Sequence, residues 1–187
     1  MAVPRSDAAA KTFEILVIDD EPELRELLSE HLRARGYRTA TVGDGLAAVS
    51  LLQRSGGQFG LILTDLSLPG VDGLAVLQAA RAASPSTQVV IITGYASLDS
   101  AIAAVRLGAY DYLTKPFSLG QIDVLLARVE DRLALEAENR ALLRRIDTRE
   151  TESAHAGHDR LGALETRLAA IEQALRDLTI ELTRRRL

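Results

Sequence analysis

Short apolar runs bounded by Gly, Pro or Asp alternate along this chain with stretches whose apolar residues recur every three or four positions. These are the periods of buried strands and of amphipathic helices. Phe13–Ile18 reads as the first strand, and Pro22 suits the first turn of the helix that follows, with Leu24, Leu27, Leu28 and Leu32 as its stripe ending near Gly36. Arg38–Val42 predicts a second strand, and Leu46, Val49 and Leu52 a second helix. The run Leu61–Asp65 predicts a third strand, with a helix from about Leu74 to Ala83 behind Gly73. Gln88–Thr93 predicts a fourth strand, followed by a stripe of Ala101, Ile102, Val105 and Leu107 that stops at Gly108. Ala109–Thr114 predicts a fifth strand, and the chain is helical again from Leu119. Five apolar strands alternating with five helices imply a parallel sheet covered on both faces, with right-handed crossovers.

That pattern gives meaning to residues that are uninformative singly. Asp65 alone, at the end of one apolar run before Pro69-Gly70, is as well explained by capping or turn formation as by chemistry. The carboxylates Asp19, Asp20 and Glu21 before Pro22 likewise suit the positive end of a helix. In an open parallel sheet, however, Asp19 and Asp20 end the first strand, Asp65 the third, Thr93 the fourth and Lys115 the fifth, all on the carboxyl rim where ligand chemistry collects. Clustered carboxylates raise one another's pKa unless a cation sits among them. Oxygen donors suit a hard ion such as Mg²⁺ (or Mn²⁺), a lysine offers a point charge to phosphate, and a threonine offers a hydroxyl. The set is equipped for phosphoryl transfer, with Asp65 as acceptor carboxylate.

Composition narrows the class. The 187 residues, 47% hydrophobic and 26% charged, can form one globular domain plus an extension. A net charge of -4 gives no overall attraction to nucleic acid or to an anionic membrane. No cysteine is present, no apolar run approaches a bilayer span and the amino terminus lacks the blocks of a signal peptide. A soluble, cytoplasmic protein is expected.

Asp19-Asp20, Asp65 in Asp-Leu-Ser-Leu-Pro-Gly-Val-Asp-Gly, Thr93-Gly-Tyr-Ala and Lys115-Pro-Phe together resemble the receiver domain of bacterial two-component response regulators. The likeness covers roughly residues 11 to 130, and Thr93–Phe117 is similar to receivers of the nitrogen-regulator (NtrC-like) class. It implies a flavodoxin-like (βα)5 doubly wound sheet of strand order 2-1-3-4-5 and a phosphoacceptor Asp65 served by a sensor histidine kinase or phosphotransfer protein. It also implies Mg²⁺ held by Asp20, Asp65 and the backbone carbonyl of Ser67, with Asp19 acting through water. Lys115 would contact the phosphoryl group, and Thr93 with Tyr112 would form the switch. Read from its residues alone, Tyr112 is a core aromatic.

The domain boundaries expected are a lead-in over 1–11, a receiver over 12–130 and a helical extension over 131–187 broken near 148–160. No Walker-type phosphate loop follows the receiver, so no ATPase is expected here. Leu161, Leu164, Leu168, Ile171, Leu175, Leu178 and Leu182 recur at alternating steps of three and four, which predicts a coiled coil and a homodimer. A helix folded back on the receiver is the rival. In a parallel pair Arg167 would face Glu172 and Glu181 would face Arg186, a weak preference for parallel. The upstream seam of Leu135, Leu142 and Ile146, with Asn139, is out of phase with the later one by one residue, which suggests two helical segments. His155 and His158, beside Gly157 and Ser153, read as a solvated joint rather than metal ligands or a phosphotransfer histidine. Arg184–Arg186 is too short for a nucleic-acid stripe. Output through oligomerisation or partner docking is therefore expected, against a DNA-binding regulator that uses its last helix or a phosphate sink without output.

Overall fold

The computed structural model describes residues 13–95, 97–145, 167–169 and 173. Strands β1 (Glu14–Ile18), β2 (Arg38–Val42), β3 (Phe59–Asp65), β4 (Gln88–Thr93) and β5 (Asp111–Thr114) alternate with helices α1 (Pro22–Ala34), α2 (Gly45–Ser55), α3 (Gly73–Ala83) and α4 (Leu98–Arg106). A fifth helix, α5, occupies 119–145. The strands are all parallel in the order β2-β1-β3-β4-β5, the flavodoxin-like arrangement expected from the sequence.

The period of two along each strand divides the core between the faces of the sheet. Ile15, Val17, Leu61, Leu63, Val90 and Ile92 pack against Leu28 and Leu32 of α1 and Ile122, Leu125, Leu126 and Val129 of α5. Leu16, Ile18, Ile62 and Val89 pack against Ala48 and Leu52 of α2 and Val76, Leu77 and Ala80 of α3. The central strands β3 and β4 are buried on both faces, hence their unbroken apolar runs.

Two expectations shift in detail. β5 is shorter than the run from Ala109, because Ala109 and Tyr110 still belong to the turn that leaves α4, although the Tyr110 N–H already donates to the Val89 carbonyl at 2.7 Å. The α4 stripe is misplaced: Ala104 is the buried residue, while Ile102 and Val105 are exposed. Positions three apart define a stripe but not which of two adjacent stripes faces inward, and on α4 the small residue does. Leu27 and Leu46 are also exposed.

Polar contacts tie α5 to the opposite edge of its layer. His31 Nε2 lies 2.9 Å from Asp123 Oδ1, Arg35 pairs with the same carboxylate, and Tyr37 donates to Glu130 Oε1 at 2.7 Å. Tyr37 is buried and leans on Phe13, ring centroids 5.3 Å apart. Burial and the Glu130 carboxylate push its phenol well above the ordinary 10.0. The folded state therefore holds this proton more tightly than the unfolded chain. The stability it contributes is present below that ordinary value and declines as pH rises beyond it. Tyr37→Phe is expected to cost about 1–2 kcal/mol in urea unfolding at neutral pH, with the deficit shrinking in alkaline solution.

By its contacts the chain divides into Met1–Glu136 and Ala137–Leu187. In the second unit the described residues, 137–145, 167–169 and 173, are helical and exposed. Leu168 is 60% exposed. The remaining seam positions, Leu161, Leu164, Ile171, Leu175, Leu178 and Leu182, lie outside the described residues, as do His155, His158 and Arg184–Arg186.

Candidate functional site

The loops leaving β1 and β3 are built alike. Asp19 Oδ1 accepts from the Glu21 N–H and Asp65 Oδ1 accepts from the Ser67 N–H, both at 2.9 Å, so each aspartate stabilises its own turn two residues on. That leaves both Oδ2 atoms pointing at one place, where Lys115 Nζ donates to each at 2.8 Å. The lysine is also held at its backbone, where its N–H donates to the Thr93 carbonyl at 2.8 Å. Arg25 fixes the first loop by donating to the Asp19 carbonyl at 2.6 Å.

Both aspartates are buried and Lys115 is only 16% exposed. Burial pushes the Asp19 carboxyl above the usual aspartate range, against the opposing pull of Lys115 and the Glu21 N–H. Burial alone would lower the Lys115 ammonium, but its bonds to Asp19, Asp65 and Glu21 outweigh this and hold it well above the usual lysine range.

The structure thus brings together Asp19, Asp65 and Lys115 from three strands, with Thr93 buried at the end of the next strand. It adds a residue that had only a capping role in the sequence: Glu21 Oε1 accepts from Lys115 Nζ at 2.8 Å, and carboxylate oxygens of Asp19, Glu21 and Asp65 all lie within 4.8 Å of one another. Asp20 is exposed and outside that group. Ser67 contributes its N–H to Asp65 and is itself exposed. Tyr112 is half-buried rather than a core aromatic, its hydroxyl 3.0 Å from Ser100 Oγ on α4, because β5 is an edge strand with one side open. Three carboxylates against one ammonium leave the pocket negative, a setting made of oxygen donors that fits a hard divalent cation.

Residues 15–130 match the model of the response regulator receiver domain. The chain belongs to that family. Two receiver-bearing relatives are from Pseudomonas aeruginosa. The transcriptional activator protein PfeR is 40% identical over 126 residues, covering 65% of this chain and 40% of PfeR. The response regulator protein PilR is 43% identical over 112 residues, covering 60% of this chain and 25% of PilR. The chain therefore spans less than half the length of these curated relatives. Among solved structures, the receiver domain of a LuxO repressor protein from Vibrio parahaemolyticus superposes with a TM-score of 0.61 at 29% identity, covering 66% of this chain and 94% of that one. NtrX from Brucella abortus, solved with ADP, gives 0.58 at 34% identity over 67% of this chain and 28% of that one. The receiver is that of a two-component response regulator with relatives in the NtrC class. Among the described residues, no helix is long and apolar enough to cross a membrane.

Proposed function

We propose that this receiver accepts a phosphoryl group on Asp65 from a sensor histidine kinase or phosphotransfer protein, in a Mg²⁺-dependent reaction, and hands the signal to the helices after it. The observation that carries this reading is a single lysine ammonium at 2.8 Å from two buried carboxylates contributed by different strands. In the transfer an Asp65 oxygen, already ionised and needing no general base, bonds to phosphorus as the donor's bond to phosphorus breaks. The electron pair stays with the donor, on the imidazole nitrogen of a phosphohistidine or as the carboxylate of acetate from acetyl phosphate. Asp65, Asp19, Asp20 and the Ser67 carbonyl would hold Mg²⁺, or Mn²⁺ on the same donors, with Glu21 in reach. The ion supplies charge that neutralises the phosphoryl oxygens. Lys115 orients and neutralises the same group.

Phosphorylation adds charge and acceptor oxygens beside Thr93, whose hydroxyl at present accepts from the Tyr95 N–H at 3.2 Å. Movement of Thr93 toward those oxygens opens space that the Tyr112 ring can take by leaving Ser100. A local hydrogen bond then alters the surface of α4 and β5. In this reading residues 12–130 receive the signal and 131–187 deliver it, by dimerising through the seam of Leu161 to Leu182 or by docking a partner.

Lys115→Ala is expected to retain Mg²⁺ binding while its NMR response to beryllofluoride at Thr93 and Tyr112 is strongly reduced. A full response would remove Lys115 from the reaction. PfeR is a transcriptional activator protein, and the rival reading is a transcription regulator that binds DNA, here through the last helix. Sequence-specific mobility shifts at physiological salt would establish it, and their absence, with phosphorylation-dependent dimerisation in light scattering, supports the favoured output.

A further inference from the structure

The backbone on either side of Asp20 is held by one residue, Arg25. The pairing of β1 with β2 runs out just before it: the last partners are Ile18 and Val42, and the Asp19 N–H reaches the Val42 carbonyl at 3.3 Å. The Asp19 carbonyl is not served by the chain beyond Val42, which has turned toward α2; Arg25 Nη1 donates to it instead, at 2.6 Å. On the far side of Asp20, the Arg25 N–H donates to the Glu21 carbonyl at 3.1 Å, in the first turn of α1. Between these two bonds the Glu21 N–H donates to Asp19 Oδ1 at 2.9 Å. The peptide planes before and after Asp20 are thus both fixed, which sets where its Cα stands although its side chain is exposed. The guanidinium is half-buried and lies over Gly43, where a methyl group would come within 3.2 Å of Nη1 and 3.4 Å of Cζ. The bare backbone at 43 leaves the room that Arg25 occupies.

We propose that Arg25 is a positioning residue for the metal: by holding the Asp19–Asp20 peptide it presents the Asp20 carboxylate to the cation in a fixed place, and so sets the affinity for Mg²⁺ rather than the rate of phosphoryl transfer. The inference rests on the reading of Asp20 as a Mg²⁺ ligand. The bond is compatible with a loaded site, because the Asp19 carbonyl is not among the donors assigned to the ion. The hydrogen bonds of Arg25 go to the loop, and neither Asp65 nor Lys115 is among its partners. Two effects of the arginine on the cation have opposite signs. Its charge repels Mg²⁺, so losing the charge alone would tighten binding, whereas losing the hold on the ligand loop weakens it.

Arg25→Met removes charge and donors together while keeping an unbranched stem and a good helix former. The full chain is titrated with Mg²⁺, with binding read from amide NMR shifts, in wild type, Arg25→Met and Asp20→Asn, and urea midpoints check the fold. Arg25→Met is expected to bind Mg²⁺ about tenfold more weakly, as for other partners that orient a metal ligand. In acetyl phosphate labelling, its half-saturating Mg²⁺ concentration should rise by the same factor while the rate at saturating Mg²⁺ is unchanged. Should Arg25→Met not fold, Arg25→Gln, neutral and too short to reach the Asp19 carbonyl, carries the same expectation. Unchanged or tighter Mg²⁺ binding would overturn the proposal, and so would a lower saturated rate with unchanged affinity, which is the mark of general damage. Asp20→Asn separates the two levels of the argument. If it weakens Mg²⁺ binding while Arg25→Met does not, the role of Arg25 alone falls. If Asp20→Asn binds Mg²⁺ as wild type does, the ligand reading of Asp20 falls and the role of Arg25 with it.

Discussion

Asp65→Asn is expected to abolish phosphorylation. Incubated with acetyl phosphate and Mg²⁺, the wild-type chain should gain one hydroxylamine-labile phosphoryl group by intact mass, and the variant none. The amide has no ionised oxygen to attack phosphorus, and no neighbour replaces it: Asp19 is committed to the Glu21 N–H and Lys115, at 2.9 and 2.8 Å, in a turn of its own. The loss should come without unfolding. Asparagine can still accept from the Ser67 N–H through its side-chain oxygen, and the substitution removes a buried negative charge that disfavours ionised Asp19. Thermal stability should be equal or higher, so that failed labelling cannot be ascribed to a damaged fold. Retained acyl phosphate would overturn the assignment of Asp65.

The strand-helix alternation was legible because β3 and β4 are buried on both faces, and such strands write themselves as Leu-Ile-Leu or Val-Val-Ile-Ile. From the alternation follows the rim, and from the rim the meeting of Asp19, Asp65 and Lys115 across 96 positions of sequence. What stayed hidden depends on side-chain direction. Glu21 reads as one more carboxylate at a helix start, which it also is. Only the turn after Asp19, folded back by its own hydrogen bond, brings it to Lys115, while Asp20 is exposed. A clue was available: three consecutive acids before Pro22 are more than one helix end needs. On α4 the pattern misled because alanine, not isoleucine, faces the sheet, leaving Leu98, Ile102 and Val105 exposed.

Gly73→Ala is expected to damage both fold and site, although it touches no charged group. A methyl on Gly73 would lie 2.2 Å from the Asp65 carbonyl oxygen, 2.9 Å from Leu66 Cα and 3.0 Å from the Asp65 carbonyl carbon. All three are backbone atoms, so no side-chain rotation can relieve the overlap. Either the start of α3 or the end of β3 must move, and the bond from the Gly73 N–H to the Leu66 carbonyl, 2.9 Å, transmits any shift to the loop carrying Asp65. Overpacking of this kind costs about 3 kcal/mol, and displacing the acceptor relative to Lys115 by even a fraction of an ångström lowers transfer steeply. Gly70 in the same loop separates close approach from loop stiffness: its φ of +76° disfavours a side chain, yet nothing lies within 4 Å of the added methyl. Gly70→Ala should therefore cost about 1 kcal/mol of left-handed strain and label at close to the wild-type rate. Urea midpoints and acetyl phosphate labelling of the two variants side by side test this. If Gly73→Ala labelled as fast as Gly70→Ala, contact between Gly73 and the Asp65 backbone would have no part in placing the acceptor.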